Sequence, residues 1–150
     1  MTIFDRIIAG QLPASFVHRD DRCIAFMDIN PMTRGHVLVV PRVSVATLDE
    51  LDAPTRAHLW EVALRVGQAQ RTALGSRAQH LLVNDGRAAS QTVPHVHIHV
   101  IPRYPGDMLR ALSRIVWHIT TITIRRRERA GQRARLDALA SSIQAAMPAS

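Results

Sequence analysis

Residues 93–102 read Val93-Pro94-His95-Val96-His97-Ile98-His99-Val100-Ile101-Pro102. From Val93 to Ile101 the stretch is rich in β-branched residues, which predicts a strand. Side chains alternate between the two faces of a strand. The spacing therefore aims His95, His97 and His99 at one side and Val96, Ile98 and Val100 at the other, where a core takes them. An imidazole changes charge near neutral pH. A row of three on one face is poor packing material and good chemistry.

Working outward, the rest of the chain reads as β-hairpins around one long helix. Ile3 to Ala9 predicts a short helix stopped at Gly10. Phe16–Arg19 and Cys23–Met27 predict two strands joined through Asp20-Asp21, and His36 to Val40 predicts a buried strand ended by Pro41. Pro54 to Leu74 carries helical spacing at Leu59, Val62, Val66, Ala69 and Ala73, with Pro54 suited to a first turn and Gly75 to the stop. His80 to Val83 predicts a further strand, and Asn84-Asp85-Gly86 a turn before the histidines. After a break at Arg103-Tyr104-Pro105-Gly106-Asp107, residues 114–124 read as strand and 125–147 as helix, with apolar positions at Leu136, Leu139, Ile143 and Met147.

Composition narrows the class. At 150 residues and 47% hydrophobic content the chain suits one domain with a single core. No apolar run reaches the roughly 20 residues of a membrane span. The opening MTIFDRIIAG has early charges and no signal-peptide core, and the one cysteine excludes an internal disulfide, so the default location is cytoplasmic. The formal charge of +7 is uneven. Residues 1–102 carry ten arginines and nine acidic residues, whereas residues 103–150 carry nine and three.

On residues alone the histidine row leaves two chemistries open. Alternating strand histidines converge on zinc in some proteins, and His36 is a possible further ligand. Yet no Cys–His or carboxylate cluster has ligand spacing. Alternatively one imidazole is a nucleophile and its neighbours orient it or act as acids. Ser90-Gln91-Thr92 and Asn84 supply hydroxyls and amides nearby. Such neutral donors suit phosphate oxygens, which favours nucleotidyl transfer over peptide hydrolysis.

These residues resemble the signature of the histidine triad (HIT) family: His-x-His-x-His followed by two apolar residues. The likeness extends through Thr2-Ile3-Phe4, Ile7-Ile8-Ala9-Gly10, the run from Asp20 to Pro31, and Gly35-His36-Val37-Leu38-Val39-Val40-Pro41, and is similar to the Hint branch. It implies a HIT domain over residues 1–103 and a basic, partly helical extension over 104–150. The implied fold is α+β: a five-stranded antiparallel sheet with one long helix and a short N-terminal helix, joined across a homodimer into ten strands. It implies a purine nucleotide site. His97 would attack the α-phosphate and form a nucleotidyl-histidine that water resolves. His99 would hydrogen-bond the phosphate, and His95 and His36 would support the rings. Asn84, Gln91 and Thr92 would hold the phosphate and leaving group, and Asp28 the ribose hydroxyls. Ile3, Phe4, Ile7, Ile29 and Leu38 would line the base pocket.

The implied activity is hydrolysis of compounds such as AMP phosphoramidates, with no cofactor. Dinucleoside polyphosphate hydrolysis or phosphorolysis is the alternative within the class, and a nucleotide-binding interaction protein with little turnover is the alternative outside it. Many bacterial members carry Cys-x-x-Cys and a later histidine as zinc ligands. Here those positions are Thr2, Asp5 and Ser44, so no metal is expected there. Ser90 stands where glycine is common, a substitution that restricts φ. His18, His58, His80 and His118 lack motif support and read as structural or surface residues. Trp117 reads as a core or interface aromatic. Arg125, Arg126, Arg127, Arg129, Arg133 and Arg135 read as a solvated helix face rather than a nucleic-acid contact, because only Tyr104 and Trp117 are near for base stacking.

Overall fold

The computed structural model describes residues 1–107, 113 and 131–149. Five strands form one antiparallel sheet in the order β1-β2-β3-β5-β4: β1 Phe16–Arg19, β2 Cys23–Met27, β3 Val37–Pro41, β4 Ala78–Leu82 and β5 Ile98–Arg103. β2 and β3 are buried along their whole length, because both faces of the sheet centre are covered. Alternation divides their side chains between two cores. Cys23, Ala25, Met27, Val37 and Val39 join one, and Ile24, Phe26, Leu38 and Val40 join the other.

The larger core lies under α2, Ala53–Leu74. Asp52 caps it by accepting from the Thr55 amide, Pro54 occupies its first turn, and Gly75 ends it at φ 70°, in the left-handed region that glycine adopts without penalty. Leu59, Val62, Ala63, Val66 and Ala69 form its buried stripe. Gln70 is buried beside them, and its Nε2 donates to the carbonyls of Gly35 and Val100. The smaller core lies under α1, Ile3–Ile8, which buries Phe4 and Ile7. Thr2 caps α1 reciprocally with Asp5, each side chain accepting the other's amide.

A third helix, α3 (Gln132–Ala145), packs against α2, β1 and β2 and adds Leu136, Ala140 and Ile143 to the larger core. Among the described residues, the helix expected over 125–147 is thus observed over 132–145. Met147 falls beyond its C-cap, Ala146, and is only half-buried. Arg125, Arg126, Arg127 and Arg129, like the strand expected at 114–124 with Trp117 and His118, lie outside the described residues. Arg135 is exposed as expected. Arg133 departs from a solvated face, because it donates to Ser15 Oγ, which in turn donates to Asp137.

The histidine strand begins later than its composition suggests. Ladder pairing starts at Ile98, opposite Val39, and runs on to Arg103. Upstream, the Val96 amide donates instead to the Val45 carbonyl in the loop after β3. Side-chain alternation persists through this unpaired stretch: Val96, Ile98 and Val100 enter the larger core. Among the described residues no helix is long and apolar enough to cross a membrane.

Candidate active site

His97 is buried, at 5% exposure, and its Nδ1–H donates to the carbonyl of His95 at 2.8 Å. A neutral imidazole has one N–H, so this bond leaves the lone pair on Nε2, the atom free to attack an electrophile. Burial pushes the pKa of His97 below the usual histidine value, against smaller upward effects from the His95 carbonyl bond and the Asp28 charge. The ring is therefore neutral and nucleophilic at pH 7. Phe4 packs edge-on to it at 5.2 Å between centroids and holds its plane.

His99 and His36 form a relay behind it. The Met32 amide donates to His36 Nδ1 at 3.2 Å, and His36 Nε2 lies 3.0 Å from His99 Nδ1. With its Nδ1 accepting, a neutral His36 carries its proton on Nε2 and donates to His99 Nδ1. His99 then keeps its own proton on Nε2, as a donor. Asp28 Oδ2 lies 3.4 Å from His36 Nδ1, longer than the Met32 bond, while Asp28 Oδ1 accepts from the Asn30 amide at 2.8 Å. Asp28 therefore closes the Asn30-Pro31 turn, with its second oxygen beside His36. The His97 and His99 rings meet at 4.8 Å.

His95 is fully buried and donates from Nε2 to the Pro41 carbonyl at 2.9 Å. Its Nδ1 faces Thr2 Oγ1 and Asp5 Oδ1, each at 3.3 Å. The Thr2 amide, above all, holds the Asp5 carboxyl below the usual range, with burial opposing and Ser44 donating to it as well. Thr2, Asp5, Ser44 and His95 thus close a hydrogen-bonded group under the histidine strand.

The apolar residues divide. Phe4, Ile7 and Leu38 cluster with Ile24, Phe26 and Val40 on the histidine face. Strand register explains this: Phe26 sits opposite Leu38, and Leu38 opposite His99. Ile3 is 46% exposed, and Ile29 packs at the margin of the other core, so neither joins the group. Leading into the histidines, Asn84 is half-buried just past β4, and Thr92 is exposed. Gln91 braces its loop: Nε2 donates to the Ala46 carbonyl at 2.7 Å, and Oε1 accepts from the Gly86 amide at 3.1 Å. Ser90 has φ 66°, the single positive φ outside glycine among the described residues, so the loop holds a left-handed turn where the side chain adds strain.

Sequence reasoning missed Phe26, the Met32 amide and the Pro41 carbonyl. The alternation of β2 signals Phe26 once its register with Leu38 is known. The two backbone groups have no signature in sequence.

The HIT domain model matches residues 9–106. An uncharacterised HIT-like protein of Mycobacterium tuberculosis is 41% identical over 107 residues, covering 71% of this chain and 74% of its own. The adenylylsulfatase HINT3 of Arabidopsis thaliana is 36% identical over 116 residues, covering 77% of this chain and 59% of its own. The crystal structure of a zinc-bound histidine triad protein from Mycobacterium smegmatis superposes with a TM-score of 0.76 at 31% identity, covering 96% of this chain and 91% of that one. Matched in sequence over most of its length, and in fold over nearly all of it, the chain belongs to the histidine triad family, which takes in an adenylylsulfatase.

Proposed function

We propose that this protein is a nucleotide hydrolase acting at the α-phosphate of purine nucleotidyl compounds, AMP phosphoramidates among them. The observation that carries the reading is the tautomer of His97: a buried, neutral imidazole whose Nδ1–H is held by a backbone carbonyl and whose Nε2 presents its lone pair. His97 Nε2 attacks the α-phosphorus, and the bond to the leaving amine breaks as solvent water supplies a proton to the departing nitrogen; the later attack of water on the adduct returns a proton to solvent. Water then attacks the nucleotidyl-histidine, releasing the nucleotide and restoring the imidazole. His99 contacts the phosphate oxygens from its Nε2 side, oriented by His36. His95 holds the strand through Pro41. Asn84 and Thr92 stand at the leaving-group side, with Gln91 shaping the loop. Asp28 takes the ribose hydroxyls, and Phe4, Ile7 and Leu38 receive the base, with Ile3 and Ile29 at its margins. The protein works in the cytoplasm as a homodimer.

The test is a panel of AMP-amine conjugates, adenylyl sulfate and diadenosine polyphosphates, read by turnover and by intact-protein mass. Wild-type protein is expected to release AMP from one class and to accumulate an adduct of AMP mass on rapid quenching. His97→Ala should abolish turnover and adduct while retaining AMP binding by calorimetry. Turnover surviving in that variant would overturn the nucleophile assignment. Preference for the sulfate, the activity named for the Arabidopsis relative, or for dinucleotides would redefine the leaving group and keep the nucleophile. AMP binding without turnover of any compound would mark a nucleotide-binding protein instead.

A further inference from the structure

We propose that His18, Asp20, Cys23 and His58 form a structural binding site for a zinc-class divalent cation. His18 ends β1, Asp20 lies in the β1–β2 turn, Cys23 opens β2, and His58 comes from the first turns of α2. Their Nε2, Oδ2, Sγ and Nε2 atoms all lie within 4.8 Å of one another. Cys23 belongs to the larger core under α2, on the face of the sheet opposite the histidine triad. The set is therefore separate from the group at Thr2, Asp5, Ser44 and His95.

The carboxylate is preset for the task. Asp20 Oδ1 accepts from the Arg22 and Cys23 amides, each at 2.8 Å, which fixes its plane and turns Oδ2 towards both imidazoles. Oδ2 lies 2.6 Å from His18 Nε2 and 2.7 Å from His58 Nε2, with Cys23 Sγ at 3.7 Å. Around tetrahedral zinc, neighbouring nitrogen and oxygen ligands sit about 3.3 Å apart, and sulfur and oxygen about 3.5 Å. Relative to Oδ2 the sulfur is thus already spaced for an ion, and the imidazoles need withdraw by only about 0.6 Å. Two imidazoles, a thiolate and a carboxylate make a borderline donor set that suits Zn²⁺ over Mg²⁺ or Ca²⁺. Four protein ligands leave no open position, which makes the site structural rather than catalytic.

Protonation agrees with this geometry. Burial, first, and then the Asp20 charge push the Cys23 thiol up to about 12, so without a cation it is an inert thiol, and a bound cation would displace its proton. A hollow of about 500 Å³, bordered by His18, Asp20, His58, Glu61 and Pro148, opens the cluster to solvent and gives an ion a path in. The consequence is mechanical: an ion here fastens α2 to the β1–β2 hairpin. The competing reading is a purely hydrogen-bonded hub, in which Asp20 accepts two imidazole N–H groups and no ion binds.

Cobalt separates the two readings. Cys23 is the only cysteine of the chain, so a thiolate-to-cobalt charge-transfer band has one possible source. The full-length, tag-free, chelator-treated protein is titrated with Co²⁺. One equivalent should bind, with the charge-transfer band in the near ultraviolet and visible absorption of tetrahedral intensity, both bleached by Zn²⁺. Zn²⁺ should also raise the thermal midpoint in a concentration-dependent way. Cys23→Ser should remove the band. His18→Ala and His58→Ala, each removing one proposed ligand, should each weaken Co²⁺ binding at least tenfold. Absence of the charge-transfer band in wild-type protein, or a band unchanged in His58→Ala, would overturn the site. Cobalt absorption without charge transfer would place the ion on Asp28, His36 and His99 and would equally reject the proposal.

Discussion

As the proposed nucleophile, His97 would act only while uncharged, and its surroundings decide when that is. Its neutral form is favoured by burial, so its folded pKa lies below the ordinary 6.5. The sign is clear: the ring stays neutral as pH falls through 6.5 and gains its proton only below that value. The acid limb of kcat/KM for an AMP phosphoramidate should therefore fall below pH 6.5, measured as a pH–rate profile of hydrolysis. A limb above 6.5 would mean that the His95 carbonyl hydrogen bond and the Asp28 charge outweigh burial. The same bookkeeping in folding terms makes His97 destabilising in acid, because the unfolded chain binds the proton first. At this scale the sequence was generous about side chains and silent about backbone. The period-2 spacing of His95, His97 and His99 was enough to place them on one face. What distinguishes the three is the carbonyl of His95, the carbonyl of Pro41 and the amide of Met32, and every residue has such groups. For the same reason Gln91 reads as a phosphate donor in sequence, whereas its amide spans Ala46 and Gly86.

Elements were legible where one local rule governs them. β1 and β2 appear at the expected residues, because β-branched and aromatic runs flank a turn that Asp20 closes with its own side chain. α2 carries its cap, its proline and its terminating glycine in sequence. Boundaries shifted where tertiary pairing takes over: β5 starts at Ile98 because Val96 pairs with a loop, and α3 was legible as a helix without its destination. That destination matters for stability. Leu136, Ala140 and Ile143, spaced four and three apart, dock on α2 and β1, and Ile143 is completely buried. Ile143→Ala removes that side chain from a packed core and should cost about 3 kcal/mol. The measurement is the urea midpoint at unchanged m-value. A loss under about 1 kcal/mol would mean that α3 contributes little to the core.

On the scale of the whole molecule, the two faces of one sheet carry separate duties. The triad and the cluster around Phe4 occupy one, and α2, α3 and the His18–Asp20–Cys23–His58 quartet the other. The quartet illustrates what no spacing rule reveals: His18, Asp20 and Cys23 are neighbours in sequence, but His58 joins them only when α2 crosses the sheet. What remains is the pair of sheet edges. β1 has four residues and a register shift between Phe16 and His18, an irregularity that discourages pairing with another chain. β4 runs five residues in unbroken register against β5, with Ala78, His80 and Leu82 exposed. Among the described residues this regular edge has no further strand beside it, and its exposed leucine invites one. The homodimer should therefore form through β4, extending the sheet to ten strands about a two-fold axis. Sedimentation equilibrium should give twice the 16.7 kDa chain mass for the wild type. Leu82→Lys places a charge on the pairing edge and should shift the protein towards monomer with its circular dichroism unchanged. A monomeric wild type would exclude the dimer, and a variant that stays fully dimeric would move the interface away from β4.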